Sequence, residues 1–169
     1  AGRLFYADGV RATGIDRVIA EAGVTKVTFY RHFPSKNALV LAFLADRHGR
    51  WMAWFDGALQ RHGDTLDALV PALAEWLGDE GFRGCAFLNT MGELGGDVPE
   101  VGAATADHKA AVTARLQALR LGDGAAALSA EDAAMLCTVL DGAITRALYE
   151  GRAEGALAAV ARAVALLAR

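Results

Sequence analysis

The chain's architecture is written between Gly14 and Lys36: Gly14-Ile15-Asp16-Arg17-Val18-Ile19-Ala20-Glu21-Ala22-Gly23-Val24-Thr25-Lys26-Val27-Thr28-Phe29-Tyr30-Arg31-His32-Phe33-Pro34-Ser35-Lys36. Ile15, Val18, Ile19 and Ala22 recur at helical spacing and give a first helix one apolar face. Thr13 stands before it as a cap, since a threonine hydroxyl accepts a bond from a free N–H of the first turn. Gly23 supplies the left-handed residue that ends it. Thr25 caps a second helix. Phe29 and Phe33, four apart, form that helix's buried stripe, which leaves Lys26, Thr28, Tyr30, Arg31 and His32 for its other faces. Pro34 stops it and Ser35 caps the next. Two short helices joined by a tight turn, the second carrying cations and hydroxyls, make a helix-turn-helix, whose second helix enters the DNA major groove.

Charge agrees with that reading. The chain has 169 residues, 54% of them hydrophobic, with a net charge of −3. Residues 1–50 hold eight Lys/Arg against four Asp/Glu, a balance of +4. The remaining nine basic and sixteen acidic residues give −7. A basic end on an acidic body suits a polyanion-binding domain joined to a domain with another task. Charged residues interrupt every apolar run, so no membrane span is expected. No signal-peptide pattern opens the chain. Cys85 and Cys137 make neither a disulfide framework nor a zinc site, and no His/Cys/Asp cluster has metal-ligand spacing. A cytoplasmic protein without a cofactor is the plain reading.

Outward from the central stretch the chain reads as helices only. Residues 1–8 look like the end of a helix, with Leu4 and Phe5 as apolar contacts and Gly9 as a stop. A fourth helix runs from Ser35 to about Gln60. Leu39, Val40, Phe43 and Leu44 face the first three helices. Arg47 and His48 interrupt the stripe, which resumes at Trp51, Met52, Trp54 and Phe55, as in a connector leaving one core for another. Gly49 could bend it. The boundaries expected are a DNA-binding domain at 1–46 and a helical domain at 47–169. Asp64 or Thr65 caps a helix carrying Leu66, Leu69, Val70, Leu73, Trp76 and Leu77. A short helix spans about 84–94. Asp97 and Glu100, with Pro99 between, start another that reaches roughly Arg120. Gly122-Asp123-Gly124 is a loop. Ser129 begins a capping pattern, and Leu136, Leu140, Ile144, Ala147 and Leu148 form one stripe. After Gly151, Leu157, Val160, Val164 and Leu167 form another. These last helices, about 129–150 and 154–168, make an antiparallel hairpin that is expected to pair with a second copy as a four-helix bundle. The alternative is that they only close the monomer core.

Ala22-Gly23-Val24-Thr25 followed by Thr28-Phe29-Tyr30-Arg31-His32-Phe33-Pro34-Ser35-Lys36 also resembles the signature of TetR-type (TetR/AcrR) transcriptional regulators. The resemblance covers about residues 1–50. It implies an all-α fold, with an N-terminal three-helix DNA-binding domain and a C-terminal helical domain for ligand binding and dimerisation. It implies a homodimeric repressor, not an enzyme, that binds a near-palindromic double-stranded DNA operator and is released by a small effector. Family members normally have residues before the first helix seen here, so a preceding segment is expected. By the family pattern Lys26 looks like a base reader, and a lysine can donate to guanine O6 and N7. Val27 is placed to touch a thymine methyl. Thr28, Tyr30 and His32 look like phosphate or sugar contacts, and Lys36 like the phosphate-binding lysine. Thr13 can offer its hydroxyl and N–H to phosphate. Arg31 could read a base or pair with phosphate. Two copies would present their recognition helices about 34–36 Å apart.

For the effector, Trp51, Trp54, Phe55, Trp76, Phe82, Phe87 and Met91 supply enough apolar surface to line a pocket between the connector and the next three helices. Taken singly, each reads as core. An apolar or aromatic effector would suit them. His62 and His108 are candidate polar contacts whose plainer reading is surface. Arg83-Gly84-Cys85-Ala86-Phe87-Leu88-Asn89, with Glu93 following, resembles a stretch in a subgroup of the same family, in some of which a cysteine senses electrophiles or oxidants. A helix N-terminus favours thiolate, and Arg83 adds positive charge. Cys85 is therefore a candidate thiol sensor, against the ordinary reading of a buried small hydrophobe. Cys137 reads as core. A remote alternative is a helical enzyme using Cys85 with His108 or His62, although no spacing promises the base within reach that nucleophilic catalysis needs.

Overall fold

A computed structural model describes residues 1–122 and 127–168. The expected loop at Gly122-Asp123-Gly124 therefore falls largely outside the described residues. The order is α1 (Gly2–Asp8), α2 (Ile15–Ala22), α3 (Lys26–His32), α4 (Lys36–Arg61), a 3-10 turn (Leu66–Ala68), α5 (Leu69–Leu77), α6 (Ala86–Leu94), α7 (Pro99–Gln117), α8 (Ala130–Glu150) and α9 (Glu154–Leu167). Among the described residues there is no strand, only isolated bridges of Arg120 with Thr65 and Ala127. The all-α expectation holds. No described helix is long and apolar enough to cross a membrane.

The chain divides into two compact units. The first comprises Ala1–Arg50 and Ala86–His108; the second comprises Trp51–Cys85 and Lys109–Arg169. The first thus takes in residues 1–46 and adds α6 with the first half of α7. Its core holds Leu4, Phe5, Val10, Val18, Phe29, Leu39, Val40, Phe43 and Leu44, all buried. Phe5 and Phe43 meet edge to face, with centroids 5.6 Å apart. The Arg47 guanidinium lies over the Tyr6 ring, 4.2 Å from its centroid.

Local signals fix the helix ends. At Gly23 (φ 65°) the N–H donates to the Ala20 carbonyl and the Val24 N–H to that of Ile19. This is the paired bond pattern of a left-handed C-terminus. Thr25 Oγ1 accepts from Thr28 N at 3.1 Å, and Ser35 Oγ from Ala38 N at 3.1 Å. Ser129 Oγ accepts from Asp132 N at 3.0 Å.

Other expectations are corrected. Gly14, not Thr13, is the N-cap of α2, and no side chain caps it. Thr65 makes no cap bond either. Phe33 terminates α3 in an extended conformation and is half-buried, so the core stripe of that helix rests on Phe29. Gly49 lies inside α4, which is one helix from Lys36 to Arg61.

In the second unit Phe55, Leu59, Leu69, Leu73, Leu116, Leu119 and Leu136 are fully buried. Arg115 is bonded to both Asp56 and Asp64, which satisfies a guanidinium only 15% exposed. The α8–α9 hairpin leaves one face open. From Ala134 to Tyr149 the exposed residues of α8 are Ala134, Met135, Thr138, Gly142, Thr145, Leu148 and Tyr149, all uncharged. On α9 the exposed Ala158, Ala159, Ala165 and Leu166 flank Arg162.

Candidate nucleic-acid interface

α3 is short, and what holds it is at its two ends and its buried side. The Thr25 hydroxyl satisfies the N-terminal N–H of Thr28, and it also lies 3.0 Å from Thr28 Oγ1. Phe29 anchors the helix in the core, packed edge to face against Tyr30 at 5.2 Å and tilted against Phe33 at 5.9 Å. Arg31 and His32 occupy the last turn, where the helix dipole favours cations.

With Phe29 turned inward, Lys26, Val27, Tyr30, Arg31 and His32 are exposed and Thr28 is half-exposed. Val27 is 79% exposed and Tyr30 42%. Val27 is thus a single open apolar side chain standing beside cations on this face. Lys26 Nζ lies 3.2 Å from Asp16 Oδ1 on α2. Both groups face solvent, and such a pair is held weakly enough to open for another acceptor. Lys36, at the start of α4, donates from Nζ to the Arg11 carbonyl at 3.4 Å.

Thr13 differs from these. It is fully buried, and its Oγ1 donates to the Gly9 carbonyl at 2.7 Å. The expected phosphate contact by its hydroxyl is replaced by a bond that closes the α1–α2 turn. That turn is further tied down by α6, a contact that sequence reading missed. Glu93 Oε1 accepts from Val10 N at 3.0 Å and Glu93 Oε2 from Arg11 N at 2.6 Å. Arg11 Nε donates to the Glu93 carbonyl at 2.5 Å, and Arg11 is ion-paired with Asp97.

The residues expected to meet an effector fall into two sets. Trp51, Trp54, Phe55 and Trp76 belong to the second unit and form an aromatic cluster with Phe82. Trp51 stacks on Phe55 at 4.8 Å and meets Trp76 at 5.3 Å, and Trp76 meets Phe82 at 5.4 Å. Phe87, Met91 and His108 belong to the first unit. His108 is 4% exposed, which corrects the surface reading. Its ring stacks on Phe87 at 3.8 Å, and its Nδ1 lies 3.1 Å from His48 Nδ1. Met91 is 40% exposed. His62 bonds Glu75 at 2.7 Å. The His62 and Arg61 partners together hold the Glu75 carboxyl below its ordinary range. An open groove of about 610 Å³ in the second unit, lined by Leu77, Phe82, Arg83, Leu148, Arg152 and Glu154 among others, had no signal in the sequence.

Cys85 immediately precedes α6 and is buried. Lys109 Nζ lies 3.6 Å from its Sγ and is paired with Asp141. Burial works against the Lys109 ammonium. The facing Cys85 sulfur and the Asp141 carboxylate outweigh it and raise the lysine above its ordinary value. Burial pushes the Cys137 thiol up, and Cys137 is core as expected. Among the described residues no group of three or more His, Cys, Asp or Glu side chains is arranged to hold a metal ion.

The family model described as bacterial regulatory proteins, tetR family, matches residues 1–43. No curated protein matches the chain. Among solved structures, a TetR-family transcriptional regulator from Streptomyces coelicolor is 32% identical, with a TM-score of 0.80, over 100% of this chain and 92% of that one. The reduced form of NemR from E. coli is similar at 21% identity and a TM-score of 0.79, over 96% and 90% of the two chains. Regulatory protein TetR from Rhodobacter sphaeroides is similar at 24% and 0.75, over 95% and 90%. The last two show a shared fold. The first, at 32% identity and over the full chain, shows kinship, and the family model matches the residues of the helix-turn-helix: the chain belongs to the TetR family of transcriptional regulators.

Proposed function

We propose that the chain is a repressor that binds a near-palindromic operator as a homodimer and leaves it when a small apolar or aromatic molecule binds. The observation that carries this is the open face of α3, where exposed Val27 stands beside Lys26, Tyr30, Arg31 and His32. In this reading Lys26 donates to a guanine edge, Val27 packs on a thymine methyl, and Arg31 reads a base or neutralises phosphate. Thr28, Tyr30, His32 and Lys36 hold the backbone, and Thr13 supports the turn behind them.

One such helix binds weakly alone, so the dimer is part of the reading. The uncharged stripe of α8 and the alanine-rich face of α9, which carries an exposed charge at Arg162, suit a second copy of the same hairpin, because small side chains allow close approach and no charge has to be desolvated along α8. The effector is assigned to the helical domain, with the aromatic cluster of Trp51, Trp54, Phe55 and Trp76 in the second unit as its proposed contacts. Its binding would favour a conformation whose recognition helices no longer match one turn of DNA, a coupling of roughly 1–3 kcal/mol.

The test is selection of genomic fragments by the purified chain at two salt concentrations. The expected result is a palindromic site with half-sites one turn apart. Recovery of only non-specific, salt-sensitive binding would contradict it.

A second reading keeps the fold and changes the signal. Lys109 Nζ at 3.6 Å from Cys85 Sγ gives that thiol a cationic neighbour, as a thiol switch needs. If oxidants or electrophiles release the chain from DNA, Cys85→Ser abolishes the response; a variant that still responds removes this reading. No observation favours the enzyme alternative.

A further inference from the structure

We propose that Glu93 is a positioning residue for DNA binding, acting on the phosphate-binding Lys36 through the peptide of Arg11. The inference rests on the DNA-binding reading above and adds to it a residue that lies on α6, outside the helix-turn-helix.

The turn between α1 and α2 is built around one carboxylate. Each Glu93 oxygen takes one consecutive backbone N–H, that of Val10 at 3.0 Å and that of Arg11 at 2.6 Å. Charge-assisted bonds from two adjacent amides fix a peptide plane as well as a position. The main chain must come close for this. Gly9 has φ 87°, and a side chain there would bring its Cβ within 3.1 Å of Glu93 Oε1. The Arg11 side chain returns to the same place, with Nε on the Glu93 carbonyl and the guanidinium on Asp97. Val10 and Thr13 are buried on either side of it.

The other end of the Arg11 residue faces the DNA-binding surface. Its carbonyl accepts from Lys36 Nζ at 3.4 Å. The carboxylate of Glu93, the Arg11 main chain and the Lys36 ammonium therefore form one continuous hydrogen-bonded series within the first unit. Removing the carboxylate frees the turn, and the ammonium then loses the seat that holds it for a phosphate. The N–H donors of Val10 and Arg11 would also be left without their acceptor, a cost that falls on this turn.

Glu93→Gln tests it. The amide oxygen can accept from one N–H, while the NH2 group meets the other donor to donor. Full-length wild type, Glu93→Gln, Lys36→Met, the double variant and Arg11→Ala are titrated against the selected operator and against unrelated DNA at several salt concentrations. Glu93→Gln is expected to weaken operator binding about tenfold and to lower the salt slope toward that of Lys36→Met. The double variant is expected to lose less than the two losses combined, because both act through one contact. Arg11→Ala keeps both backbone N–H donors and is expected to lose less than Glu93→Gln. Hydrogen exchange at the Val10 and Arg11 amides is expected to speed up in Glu93→Gln, with the melting transition kept near wild type. Unchanged operator affinity in Glu93→Gln, or strict additivity with Lys36→Met, overturns the proposal. A Glu93→Gln chain that melts early and loses operator and unrelated DNA in proportion also overturns it, since that is the signature of a structural role. If wild type binds no DNA at all, the underlying reading fails with it, and that outcome is distinct from wild-type binding that Glu93→Gln leaves intact.

Discussion

α3 and the α8–α9 hairpin both expose apolar side chains, and their surroundings differ. On α3, Val27 is 79% exposed among Lys26, Arg31, His32 and hydroxyl groups. On α8 and α9, Met135, Leu148, Tyr149 and Leu166 are exposed among alanine, glycine and threonine, with Arg162 as the one exposed charge between Ala158 and Leu166. Isolated apolar residues within cations suit a ligand that is anionic at its edge and carries methyl groups in its groove, as duplex DNA does. An uncharged stripe at helical spacing suits a flat apolar partner, and a second copy of the same stripe is the nearest one. Exposure alone would have merged the two; the neighbouring charges separate them.

Variants can break either surface without the other. The largest effect is expected from Phe29→Ala. Removing this buried ring costs about 3–5 kcal/mol and should unfold the first unit's helix-turn-helix. DNA binding is expected to be lost, while sedimentation finds the same assembly as for wild type. Leu166→Arg is the converse. A charge on the hairpin face should shift the chain to monomer in sedimentation and lower operator affinity about a hundredfold through loss of the second half-site, with melting of the first unit unchanged. Lys26→Ala should cost about 1–3 kcal/mol on the operator and relax the sequence preference at one position per half-site, as read by titration against single-base variants. Thr28→Val should weaken binding slightly and equally on all sequences.

The smallest effect concerns stability and not DNA. Lys109 is raised above its ordinary value of 10.5, so its pairing with Asp141 and Cys85 contributes fully below that pH. The contribution is lost as pH rises through the higher folded value. Denaturant midpoints across the alkaline range should therefore fall less steeply in Lys109→Met than in wild type. Parallel slopes would remove this assignment.

What was legible in the sequence was local. Thr25, Gly23 and Ser129 act within four residues of their partners, and the sequence places those partners directly. Phe29 was legible from spacing, and so were the stripes of α8 and α9, except that Leu148 is exposed and lies off the buried stripe of α8. Phe33 was not, because α3 stops at His32 and the last aromatic leaves the helical register. Thr13 was misread as a cap, since its hydroxyl chose a carbonyl four residues back over the helix start. Other gaps are long-range. Glu93 meets Val10 and Arg11 across more than eighty positions, Lys109 meets Cys85 across 24, and His108 meets His48 across 60. No periodicity carries such pairs. Spacing names no partner for Glu93 or Lys109 and leaves His108 as surface; packing gives each its partner.

The claim that two copies of the helix-turn-helix read one operator is tested most directly by changing the distance between half-sites. The operator recovered by selection is rebuilt with about five extra base pairs at its centre, half a turn of DNA, and titrated beside the original. The original site is expected to bind two copies of the chain, and the lengthened site to fall to the level of unrelated DNA. Equal binding to both sites would mean that each helix-turn-helix acts alone, and would contradict the dimeric reader.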